Sequence, residues 1–144
     1  MVDSIRLLDV AEQNAEEIAE HWAMEVQKNK RTTHYQNIKK EKLKIYAVDF
    51  YNNLRALLVP DDRLENTKIY FQKYAKKCHE LGLPLQEAIY GLILMRRHMW
   101  LYADFQAIFI DALEHNQAID GIMRIMLMMD YAVYEITQYY FNKQ

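Results

Sequence analysis

Glu17 and His21 lie four residues apart, as do Asp111 and His115. On a helix that spacing puts both side chains on one face, the arrangement of an acid–base couple or of half a metal site. It is also the spacing of an ordinary surface pair worth about 0.2–0.5 kcal/mol, and that is the reading taken here. No Glu in the chain is followed three residues later by His, so the ligand pattern of a di-iron helical bundle is absent. His79-Glu80 is followed by Leu81, Gly82 and Leu83, not by the second histidine that a zinc-protease helix requires. Cys78 is the only cysteine, which removes any cysteine-based zinc site. Gly82, Gly91 and Gly121 stand too far apart to form a phosphate-cradling loop. No catalytic residue, metal ligand or cofactor site is therefore assigned, and an enzyme is not expected. Two histidines keep one alternative open. His98, beside Arg96, Arg97 and Trp100, and His115 each sit in an apolar helical pattern and could ligate haem iron, since one neutral imidazole suffices in globin-like proteins.

The elements that would position these groups are helices. Ile5, Leu8, Ala11, Ala15, Ile18, Trp22 and Val26 recur at steps of three and four, predicting an amphipathic helix over 4–28 with Asp3 or Ser4 as its N-cap. Thr33 and Gln36 fit a capping box, and Leu43, Ala47, Phe50, Leu54, Leu57 and Leu58 carry a second helix, 37–58, that Pro60 ends. Asp62 with Glu65 opens a third over 62–81, closed by Gly82 in the left-handed conformation. Pro84 tolerates the missing N–H of a first turn, and Leu85 to Tyr102 form the fourth, with a turn placed at 103–108 by length alone.

The last helix is apolar on more than one face. Ala112, His115, Ile119, Ile122, Met126, Met129, Val133, Ile136 and Tyr140 alternate three–four spacing, the seam of a heptad repeat, while Ile125, Met128, Ala132 and Tyr139 form a second row. Two partners are implied, the domain's own core and either a second subunit or a following helix. Ile122, Met126, Met129, Val133, Ile136 and Tyr140 are the expected homodimer interface. The tyrosines crowding this helix suit a half-buried interface, with an apolar ring and a polar tip.

Composition agrees with one α-helical domain over 1–144 of about five helices. The chain is 51% apolar and 26% charged, with three Gly and two Pro, too few for the turns of an all-β domain. A formal charge of −2 gives no global electrostatic case for nucleic acid. The longest apolar stretch, residues 121–134, is broken by Arg124 and Asp130 and falls short of the roughly 20 residues that span a bilayer. With one cysteine and no apolar leader, a cytoplasmic location is expected. The basic run from Lys28 to Lys44 follows an acidic first helix, and neutralisation between the two is the simplest expectation.

The order of features has a relative. The segment from Val10 to Trp22, the segment Tyr74 to Leu85 with its Gly-Leu-x-Leu junction, and Leu92 to Trp100 resemble the N-terminal sensor domain of RsbR-type stressosome proteins and of some bacterial histidine kinases, over about residues 8–141. The resemblance implies a globin-like all-α fold without haem that dimerises and passes a signal through its last helix to an output domain or protein. It maps the junction onto Gly82, Leu83 and Leu85 and the helix-one tryptophan onto Trp22, all structural, and it brings no catalytic residue. The usual STAS or kinase domain does not follow within the 144 residues, as in an excised module or a stand-alone protein.

Overall fold

The computed structural model gives the backbone of residues 3–58, 63–105 and 112–144 and the side chains of 7–58, 65–102 and 120–144. Among the described residues it is built of helices alone: α1 (Asp3–Gln13), α2 (Ala15–Lys28), a short 3-10 helix (Thr33–Asn37), α3 (Lys40–Leu58), α4 (Arg63–Glu80), α5 (Leu85–Phe105) and α6 (Ala112–Asn142). No helix among them is long and apolar enough to cross a membrane.

The single helix expected over 4–28 is two. Asn14 leaves helical geometry at φ −121° and ψ 21°, although its N–H still bonds the Val10 carbonyl (3.1 Å) and its own carbonyl accepts from Ile18 (3.0 Å). Its side-chain amide donates to that same Val10 oxygen at 2.8 Å. A carbonyl shared between two donors bends the ladder without severing it. The apolar stripe passes through the bend intact, with Ala11, Ala15, Ile18, Trp22 and Val26 all buried.

The expected capping box at Thr33 does not form. Thr33–Asn37 winds as a 3-10 turn, and α3 starts at Lys40 after an extended Ile38. The reason is packing. Tyr35 must reach the core, where its ring meets Trp22 edge-on at 6.0 Å, and the Ile38 carbonyl is taken by the Gln27 side-chain amide at 2.8 Å. Thr32, fully buried, closes the preceding helix by donating its hydroxyl to the Val26 carbonyl at 2.7 Å.

Gly82 takes the expected left-handed conformation (φ +81°). The Leu83 N–H bonds the Cys78 carbonyl (3.0 Å) and the Gly82 N–H bonds that of His79 (3.1 Å), the paired bonds of a glycine-terminated helix. The fourth helix runs to Phe105. The Asp62 cap and most of the turn placed at 103–108 lie outside the described residues, as do the side chains of Asp3 and Ser4.

α2 packs against both α3 and α5, and α6 against both α4 and α1. Two lysines of the basic run meet the acidic helix: Glu20 on α2 lies 2.6 Å from Lys40 and 3.1 Å from Lys44 on α3. Arg55 of α3 holds Asp9 (2.6 Å) and Glu12 (3.0 Å) of α1. At the centre stands Trp22, whose indole N–H donates to the Gly91 carbonyl of α5 at 2.8 Å. Burying a side chain of this size stabilises the fold by about 1.5–3 kcal/mol.

Candidate functional site

A cavity of about 140 Å³ opens between α3, α4 and the α4–α5 turn. Its buried lining is Trp22, Tyr35, Leu43, Cys78, Leu83 and Met95; Tyr46, Tyr70, Tyr74 and Leu81 line it half-buried, and Asp49, Lys73 and Lys77 stand exposed at the mouth. Two contacts cross that mouth. The Tyr70 hydroxyl donates to Asp49 at 3.2 Å, and the Lys77 ammonium lies 4.6 Å over the Tyr46 ring.

Polar atoms inside are few and loosely held. Tyr35 Oη donates to the Glu87 carbonyl and Tyr74 Oη to the Ala88 carbonyl, each at 3.3 Å, long for a hydroxyl donor. Burial pushes both phenols well above their usual range, so they stay protonated. Burial likewise pushes the Cys78 thiol up to about 12, and a thiol held protonated is a poor nucleophile. The recess is thus largely apolar, and its thiol is not activated.

One wall of this cavity is fastened to the last helix. The Tyr140 hydroxyl of α6 donates to the carbonyl of Leu83, a lining residue, at 2.7 Å. The His79 ring lies edge-on to Tyr140 at 5.3 Å and to Tyr139 at 6.2 Å. The α4–α5 turn therefore carries both the cavity wall and the seat of the final turns of α6.

The six residues expected at a subunit seam do not share one exposed face. Met129, Ile136 and Tyr140 are buried in the chain's own core, Ile122 and Val133 are half-buried at its edge, and Met126 is exposed. The covering elements are α4 and α1. The second row behaves as core too, with Ile125, Met128 and Ala132 buried and Tyr139 packed against them. Among the described residues, the large exposed apolar side chains of α6 are instead Met123, Met126, Leu127, Tyr131, Tyr134 and Phe141. Leu127, Tyr134 and Phe141 recur every seven residues, on the side of the helix away from the core. The row is a heptad pattern in the sequence, but the more continuous apolar row beside it masks it.

Of the candidate histidines, His98 Nε2 is hydrogen-bonded to Glu25 Oε1 at 2.8 Å across α2 and α5. Burial raises the Glu25 carboxyl, but hydrogen bonds from His98 and Asn29 outweigh it and hold the group below the ordinary carboxylate range. The side chains of Asp111 and His115 lie outside the described residues. Glu17 accepts a hydrogen bond from Tyr102 at 3.2 Å. No histidine lines the cavity, whose volume is near that of apolar cavities of roughly 150 Å³ that admit benzene or xenon, so among the described residues nothing there fits a haem. No group of three His, Cys, Asp or Glu able to hold a metal gathers among the described residues.

Sequence reasoning missed the mouth. Tyr70, Lys73, Tyr74 and Lys77 stand at i, i+3, i+4 and i+7 on one face of α4, but two of the four are charged, so they do not register as an apolar stripe. No family model, no curated protein and no solved structure matches this chain.

Proposed function

We propose that this chain is a non-enzymatic signal-transduction sensor module of globin-like fold, acting in the cytoplasm as a homodimer and relaying a signal through α6 to an output domain or partner protein. The observation that carries the reading is the second apolar face of α6. A helix that satisfies the core with one stripe gains nothing for its own fold from Leu127, Tyr134 and Phe141 on the opposite side. Their seven-residue recurrence is the pattern by which a helix packs along a second helix. The resemblance to stressosome sensor domains supports the same assignment. Tyr140 supplies a route: a ligand-driven shift of the cavity wall at Leu83 would bear on the end of α6, and packed helices answer such shifts by small rotations or translations.

Sedimentation equilibrium tests it, comparing the native chain with Leu127→Glu, Tyr134→Glu. Both residues are exposed, so helical circular dichroism should be unchanged while the native dimer becomes a monomer. A native chain that stays monomeric at high micromolar concentration removes the reading, and so does a dimer that survives the double substitution.

A further inference from the structure

The cavity mouth carries two lysines, Lys73 and Lys77, and one carboxylate, Asp49. Asp49 is engaged by the Tyr70 hydroxyl (3.2 Å) and by the Asn53 amide (3.2 Å). Among the described residues, neither Lys73 nor Lys77 has a carboxylate within ion-pair distance, whereas Lys40 and Lys44 on the neighbouring helix both do. Both lysines line a largely apolar recess of about 140 Å³. That volume takes one six-membered ring, since apolar cavities of roughly 150 Å³ admit benzene, and is too small for a long acyl chain. Five of its thirteen lining residues are aromatic, four of them tyrosines, and aromatic pairs prefer the edge-to-face approach that tyrosines around a ring provide.

We infer that this cavity binds a small monocyclic aromatic carboxylate, its ring among Tyr46, Tyr70, Tyr74 and Met95 and its carboxylate at Lys73 and Lys77. The inference rests on the sensory reading for its purpose and on the cavity alone for its chemistry. A hydroxyl on the ring would find Tyr35 and Tyr74 Oη, which hold their present acceptors only at 3.3 Å. A carboxylate arriving at Lys77 replaces its contact with the Tyr46 ring by a stronger, charge-assisted one.

The test is calorimetric titration of the full chain with sodium benzoate, with benzyl alcohol as the uncharged ring and hexanoate as the ringless acid. Benzoate should bind saturably and more tightly than hexanoate. Lys73→Met with Lys77→Met, both at exposed positions, should weaken benzoate by about tenfold and leave benzyl alcohol unchanged. Absence of saturable benzoate binding overturns the inference, as does equal benzoate affinity in the double variant or tighter binding of hexanoate. Sedimentation of the same samples separates the two proposals: benzoate bound to a monomer removes the dimeric sensor and keeps the ligand, and a dimer that takes no benzoate does the reverse.

Discussion

Gly91 shows how closely the centre of the molecule is fitted. A Cβ at this position would meet Tyr35 Oη at 2.2 Å and its Cζ at 2.9 Å, so Tyr35 must give up its edge-on seat against Trp22 and tilt toward the cavity it lines. The glycine carbonyl meanwhile receives the Trp22 indole N–H. Gly91→Ala should therefore cost about 1–3 kcal/mol in urea denaturation, the usual range for overpacking a filled core. Adding Tyr35→Phe removes the closest atom, so the double variant should lose less than the two single losses combined. Strict additivity would mean that the glycine is needed for some other reason. Trp22 was legible in the sequence as a core residue because its apolar stripe is local. Its partnership with Gly91 was not, since nothing near residue 22 reports on a carbonyl 69 residues away.

Among the elements, α2 meets α3 and α5 through carboxylates whose ionised form the fold favours. Hydrogen bonds from Lys40 and then Lys44 hold Glu20 low against burial, and bonds from His98 and Asn29 overcome burial at Glu25. A carboxyl depressed in the folded state stabilises above its unfolded value, here about 4.5, and loses that contribution as pH falls through the folded one. Stability measured by urea denaturation should accordingly be level from neutral pH to about 5 and fall below that. Glu25→Gln should lower stability at neutral pH by at most about 1 kcal/mol, because solvent screens the pair, and should lessen the acid loss. An unaltered pH profile would show that the Glu25–His98 contact carries no net energy. Helix identity was largely legible at this scale: the stripes, Pro84 and Gly82 all act within a turn or two. The bend at Asn14 was not, for it depends on one amide sharing the Val10 carbonyl in a stripe that never breaks. Nor was the 3-10 turn, which exists because Tyr35 is drawn to a distant helix. The two faces of α6 were legible as apolar, but only the packing of α1 and α4 decides which face is covered.

For the molecule as a whole, the proposed ligand and the proposed dimer meet at a single hydrogen bond, from Tyr140 Oη to the Leu83 carbonyl. Leu83 lines the cavity and α6 carries the exposed heptad row, so this bond is where occupancy of one would be felt by the other. Linkage makes the argument two-sided: whatever factor benzoate imposes on the dimer constant, dimerisation must impose on benzoate affinity. A coupling of about fivefold or more is expected in the native chain, the lower end of the range for such effects. Tyr140→Phe keeps the buried ring and removes only the hydroxyl, so benzoate affinity of the monomer and dimerisation of the ligand-free chain should each change little. The coupling factor should fall toward one. Sedimentation with and without saturating benzoate gives both dimer constants of each chain, and their ratio is the coupling factor. If Tyr140→Phe couples as strongly as the native chain, the signal travels through the packing of α4 on α6, and His79 against Tyr140 becomes the contact that must carry it.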